Sequence, residues 1–403
     1  MIKISQLSAW LIATLIINAF SFEMNFIRFI IPLCLVTSLF WFLLKFRLKY
    51  IEYFLFFSIS IASLLGLTQT LTGSHAKSTN EFLFGLSFYT TSIAYLIAIN
   101  RFNFNKILSI SNPLLLSTGP IALFFICISH KSFKDRFKYY FPFIIIGIFM
   151  FQIVASPLTE FFFLLNKTDL VSTITFSIIF EIFVYMNFCG LSLIIYGLFG
   201  IIGYRIPLNF KQPFSSKNIV EFWRGWHISL SMVLKVLFYK PLRARFSLFV
   251  ALMGVYFASA MWHGITFNFL IWGLFHTLSF WITIKLIKHQ NKFLPIMLMP
   301  VIIIIGRLIF ADSNIDRLFE KLSFRFESMD GFYSLFTGLN HSLLSLIFGI
   351  LLISAEFIFK DTKVMNKRNY KYLRTPFALF ILCIFGVLTA SNVGMGYAVY
   401  GQR

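Results

Sequence analysis

The sequence predicts an all-α polytopic membrane protein, with about 10–12 transmembrane or re-entrant helices. Three observations carry that prediction. The 403 residues are 58% hydrophobic and 12% charged, whereas a soluble domain carries roughly a quarter charged residues. Mean hydropathy is +0.82. The apolar residues also fall in runs near or above the ~18–20 residues that cross a bilayer core.

Taken in order, those runs are 8–22, 29–44, 51–68, 82–99, 139–154, 172–202, 246–262, 265–284, 294–311, 342–359 and 375–391. The first follows Lys3 but has no small-residue cleavage site after it, so a retained span is expected rather than a removed signal peptide. Basic clusters punctuate the runs at 45–49, 101–106, 131–138, 205–245, 285–292 and 360–374. Short basic loops orient spans towards the cytoplasm, so the net charge of +20 reads as topology and not as a nucleic-acid surface. Two successive basic loops, at 101–106 and 131–138, break strict alternation. A re-entrant element over 113–129, carrying Pro113, Gly119 and Pro120, resolves the conflict. Cys34, Cys127, Cys189 and Cys383 are dispersed without CxxC spacing, so neither metal nor disulfide is expected. One membrane domain over 1–403 is the economical reading.

Residues 205–245 are neither a span nor an open loop. Basic residues alternate there with Phe210, Phe214, Phe222, Trp223, Trp226, Phe238 and Tyr239, a mixture suited to an amphipathic segment at the cytoplasmic membrane surface. Asn218 is placed to cap a short helix, with Glu221 three residues on.

Two histidines follow tryptophans: His227 in FWRGWH (222–227) and His263 in MWHG (261–264). An ionisable group in an apolar chain is a functional hypothesis by default, and a histidine can take a hydroxyl proton near neutral pH and return it. Taken singly, each is as well read as a bonded core or interfacial group. His276, in an apolar run, reads as facing a polar bundle interior. HKSFKD at 130–135 has the HxxxxD spacing of one acyltransferase class, but no phosphate-binding motif supports it and chance explains it.

NFKQPFSSKNIVEFWRGWHISLS at 209–231, with MWHGITFNFLIWGLFH at 261–276, resembles the membrane-bound O-acyltransferase family. The bacterial branch with alginate O-acetyltransferases and the D-alanyl transferase of teichoic acids is the most similar. GLSFYTTSIAYLI (85–97), LSTGPI (116–121), YMNFCGLS (185–192) and GRLIFADS (306–313) resemble other family elements in the expected order, so the core resemblance covers 82–315. It implies a ring of tilted helices around a central tunnel, with acyl transfer from a thioester to a hydroxyl. It assigns His263 as general base and His227 as the second histidine. Lys211, Lys217 and Arg224 become candidates for the phosphates of coenzyme A or a phosphopantetheine arm. The chain departs from the family pattern at Asn187, Cys189 and Leu191, and at LKVLFYKPL (234–242).

The expected activity is therefore transfer of an acetyl group from a cytoplasmic thioester, acetyl-CoA or another, to hydroxyls of a cell-surface or exported polysaccharide. No tightly bound cofactor is expected. Partners would be the lipid bilayer, the donor, and the polysaccharide or a periplasmic transferase; the location would be a bacterial cytoplasmic membrane. The alternatives are a D-alanyl or lipid O-acyltransferase fed by a carrier protein, or a non-catalytic conduit.

Overall fold

The computed structural model describes residues 50–64, 86–102, 131–264, 266–290, 293–337 and 340–358, with short pieces between 34 and 42 and between 106 and 128. The expected spans at 8–22 and 375–391 lie outside the described residues, as do His130 and nearly all of the expected re-entrant element.

The helices are α1 (Ile51–Leu64), α2 (Leu86–Ala98), α3 (Phe133–Ile148), α4 (Leu170–Ile202), α5 (Ile219–Gly225), α6 (Ile228–Leu234) and α7 (Lys240–Arg245). They continue with α8 (Leu248–His263), α9 (Phe267–Lys288), α10 (Phe293–Ala311), α11 (Ile315–Leu322), α12 (Asp330–Thr337) and α13 (Asn340–Ile358). A two-residue antiparallel ladder pairs β1 (Cys127–Ile128) with β2 (Tyr204–Arg205).

Among the described residues, the helical stretches Phe133–Asn166, Leu170–Ile202, Phe267–Lys288 and Phe293–Ala311 are long and apolar enough to cross a membrane. Leu248–His263 and Phe88–Ala98 are shorter apolar helices. The protein is an all-α polytopic membrane protein. At 33 residues, α4 extends about 50 Å, so it must tilt or project beyond a ~30 Å hydrocarbon core.

The chain clusters into two compact units. The first holds residues 1–130, 202–207 and 228–265; the second holds 131–201, 208–227 and 266–403. In the first, Ile51, Leu55 and Phe56 of α1 pack with Tyr89, Ile93 and Leu96 of α2 and with Leu230, Val233 and Leu237. The aromatic ring of Phe238 closes that core edge-on against Phe56 at 5.1 Å.

In the second unit α3 and α4 meet backbone to backbone. A Cβ on Gly147 would stand 2.5 Å from the Gly190 carbonyl oxygen, and one on Gly190 would stand 2.8 Å from that of Gly147. Real Cβ atoms do not approach so closely, so only glycine permits this crossing. Beyond Ile148 the helix widens into a π-helical stretch, Phe149–Ala155. A widened turn disturbs the i→i−4 ladder, and Ser345 on α13 donates its hydroxyl to the Ile153 carbonyl at 2.6 Å. The 3-10 stretch Thr159–Asn166 then ends the segment.

α10 leads into a buried polar knot. Asp312 accepts from Arg317 at 2.8 and 2.9 Å and from the Lys321 ammonium at 2.6 Å. Lys321 is fully buried and also donates to the Leu165 carbonyl. Arg317 reaches Asn166 at 2.7 Å, and the Leu170 N–H donates to the Arg325 carbonyl at 2.8 Å. The knot therefore ties α11 and its following loop to the α3–α4 connection.

Candidate active site

His263 belongs to the first unit, as the last residue of α8. Its ring is half-buried and lies edge-on to Trp262 at 4.8 Å. Trp262 is fixed in turn: its indole N–H donates to the Thr91 hydroxyl at 3.0 Å, and Phe88 packs edge-on at 5.4 Å. Both partners come from α2, so this serine-, threonine- and tyrosine-bearing helix supports the tryptophan that precedes the histidine. Gly264 closes α8 with its N–H on the Ala260 carbonyl, and its backbone is extended.

His227 belongs to the second unit, as the last residue of the 208–227 stretch. That stretch folds back on itself around the short helix α5. Asn218 caps α5 by accepting from the Glu221 N–H at 3.0 Å. The Glu221 carboxylate accepts from the Lys217 N–H at 3.0 Å, one residue earlier than a capping box requires. The Lys211 N–H donates to the Gly225 carbonyl at 2.8 Å. A Cβ on Gly225 would stand 2.7 Å from the Lys211 carbonyl oxygen, so glycine is needed where the chain doubles back.

Trp226 and His227 form the break between α5 and α6. His227 has φ +42°, in the left-handed region, which costs a non-glycine residue roughly 1–3 kcal/mol. Residues held that way mark over-determined local structure. Here the histidine is 6% exposed, and its ring stands edge-on to Phe188 of α4 at 4.7 Å. Trp226 stacks on Phe222 at 5.4 Å and meets Phe210 at 5.1 Å and Tyr185 at 5.6 Å.

Two polar pairs reach the same tryptophan. Arg307 of α10 lies over the Trp226 ring, 4.6 Å from its centroid, and forms a buried salt bridge with Glu181 of α4. Tyr185 donates its hydroxyl to the Glu356 carboxylate on α13. Tyr185 and Arg307 fall inside the family-like elements YMNFCGLS (185–192) and GRLIFADS (306–313), but the resemblance assigns neither a role, and Glu181 and Glu356 show only as lone carboxylates in the apolar runs 172–202 and 342–359.

Lys211, Lys217 and Arg224 are exposed on the same fold-back, leaving their cations available to anionic groups. Asn187 and Cys189 are buried on α4 beside Tyr185. His276 is buried in an aromatic box, not a polar interior: Trp272 lies at 4.5 Å, Trp223 at 5.2 Å and Phe275 at 5.4 Å. A Cβ on Gly306 would meet its Nε2 at 2.7 Å. A cavity of about 10 Å³, room for the centre of one water, separates Trp223, His276 and Arg307. Among the described residues, no group of three or more His, Cys, Asp and Glu side chains could hold a metal ion.

Known proteins resemble this chain over part of its length. A probable alginate O-acetylase of Pseudomonas putida is 33% identical over 141 residues, 32% of this chain and 29% of the relative. A peptidoglycan O-acetyltransferase of Helicobacter pylori is 31% identical over 165 residues, 37% of this chain and 31% of that protein. A teichoic acid D-alanyltransferase of Bacillus subtilis is 26% identical over 150 residues, covering 32% and 36%. The chain thus matches about a third of the length of each of these relatives. The family model for membrane-bound O-acyltransferases matches residues 2–311, most of the sequence, and the chain belongs to that family.

Proposed function

We propose that this protein is a membrane O-acyltransferase that moves an acetyl group from a cytoplasmic thioester, acetyl-CoA or another acyl carrier, to hydroxyls of a cell-surface or exported polysaccharide. The observation that supports it most is the setting of His263. It is a half-buried histidine at a helix end, with its neighbouring indole pinned to Thr91 and glycine following, in a chain matched by this family's model.

In this reading His263 accepts the acceptor hydroxyl's proton as the oxygen attacks the thioester carbonyl. The new C–O bond forms, the tetrahedral centre collapses, and the C–S bond breaks. The proton passes from His263 to the departing thiolate. General-base assistance of this kind contributes typically ~10²–10⁴-fold in rate. His227 acts on the donor side, positioning the thioester, while exposed Lys211, Lys217 and Arg224 meet the phosphates of its carrier. The relatives are named for alginate, peptidoglycan and teichoic acid and come from bacteria, which favours a polymer acceptor such as a polysaccharide and a bacterial membrane.

His263→Ala tests the assignment. The variant should insert and accumulate normally while surface-glycan ester content, read by mass spectrometry, falls to that of a deletion strain. Undiminished esters in that strain would assign the protein a conduit role.

A further inference from the structure

We infer that the Glu181–Arg307 and Tyr185–Glu356 pairs are positioning groups that hold the Trp226–His227 turn in its left-handed form. The inference builds on the proposed function, since it concerns the histidine assigned there to the donor side.

The turn needs an external hold. Its backbone is unfavourable for histidine, and the break between α5 and α6 spans just two residues, Trp226 and His227. The grip is on the tryptophan. Arg307 places its guanidinium over that indole at 4.6 Å, and a cation over a Trp face is attracted by the ring quadrupole. Glu181 fixes the guanidinium from α4, with Nη2 at 3.4 Å from Oε1 and Nε bonded to Oε2. Tyr185, one helical turn after Glu181 on α4, leans its ring on Trp226 at 5.6 Å and on Phe214 at 4.9 Å. Glu356 accepts the Tyr185 hydroxyl, so α13 fixes the ring that leans on both Trp226 and Phe214.

α4 and α10 thereby converge on the residue before His227, with α13 acting through Tyr185. A buried ion pair gains little stability over apolar residues of similar volume, so stability alone explains this arrangement poorly. Orientation of the turn explains why the cation lies over Trp226 and not merely beside Glu181. Glu356 also lies outside the residues matched by the family model, so this grip includes a contribution from the C-terminal part of the chain.

The test uses the full-length protein in native membranes, with carbethoxylation of His227 by diethylpyrocarbonate read by peptide mass spectrometry. Exposed His289 serves as internal control. The paired neutral variant Glu181→Gln/Arg307→Gln avoids an orphaned buried charge, so it should insert at normal abundance. His227 labelling should rise about tenfold, the order expected from losing a desolvated cation–π hold, with His289 unchanged. Glu356→Gln should raise it in the same direction.

The exchange Glu181→Arg/Arg307→Glu keeps an ion pair but moves the cation to α4. Labelling that stays raised supports positioning; labelling restored to the wild-type level makes the pair merely structural and overturns the inference. Unchanged His227 labelling in the neutral double variant overturns it as well. A His227→Ala strain with full surface ester would remove His227 from the reaction while leaving the positioning result standing, so the two failures are separable.

Discussion

His227 shows how one backbone angle can be tested apart from its side chain. Replacing it with alanine removes the imidazole and keeps the left-handed cost; replacing it with glycine removes both. His227→Gly should therefore be more stable than His227→Ala by about 1 kcal/mol in a thermal melt of detergent-solubilised protein. Equal stabilities would show that the turn relaxes when the ring is lost. Neighbouring Gly225 carries the opposite requirement, because a methyl there would press on the Lys211 carbonyl. Gly225→Ala should destabilise by roughly 1–3 kcal/mol through overpacking. Sequence alone made His227 and His263 visible because each stands beside a tryptophan in a recognisable motif. It could not show the angle at His227. Nor could it pair Glu181 with Arg307, since 126 residues separate them and each looks like an isolated polar residue in an apolar run.

At the scale of elements, the apolar runs gave the helices well because lipid demands internally satisfied backbone over a fixed length. The runs at 172–202 and 294–311 became α4 and α10 almost residue for residue. Residues 205–245 were harder to read. Their alternation of basic and aromatic side chains suits a membrane surface, yet Phe210, Phe222, Trp226 and Phe238 are buried in two separate cores. Composition could not distinguish rings facing lipid from rings facing protein.

The knot that follows α10 makes a prediction in pH. Burial pushes the Asp312 carboxyl up, but hydrogen bonds from Arg317 and Lys321, the Lys321 charge and the Asn314 N–H outweigh it and hold it below the ordinary carboxylate range. A carboxylate depressed in the folded state contributes stability that is fully present above its unfolded value and is lost as pH falls through the folded one. Melting temperature should thus decline below about pH 4, and Asp312→Asn should flatten that decline. The same variant should cost on the order of 3–5 kcal/mol at neutral pH, because Lys321 would keep a buried charge without its carboxylate. A neutral-pH melt unchanged from wild type would show that Lys321 finds another partner.

Across the whole second unit, charge sorts by end. Lys131, Lys134, Arg136 and Lys138 open α3, and Lys285 and Lys288 close α9. The opposite ends of the Phe133–Asn166 stretch and of α10 adjoin Asp169, Asp312, Asp316, Glu320, Glu327 and Asp330, with Arg317 and Lys321 committed to Asp312 and Lys167 and Arg325 as the remaining cations. The excess of basic residues at the first end predicts that this end faces the cytoplasm. In a cysteine-free background on intact cells, a membrane-impermeant maleimide should label Phe326→Cys but reach His289→Cys only after lysis. Both native side chains are exposed, so access and not burial decides the result. The reverse pattern would invert the orientation.

The glycine contact between α3 and α4 bears on what a membrane enzyme must not do. On the proposed reaction, a cytoplasmic thioester and an outward-facing acceptor are handled across an ion gradient, and each helix seam is a place where protons could leak. At Gly147 and Gly190 the two backbones touch with no side-chain layer between them. Further along α4, a Cβ on Gly200 would collide with the Tyr140 ring and one on Gly197 would stand 3.0 Å from the Tyr140 carbonyl oxygen. This seam leaves no room for a water wire. On the proposed reaction, a route for acyl group or acceptor through this unit would run beside these glycines and not between them.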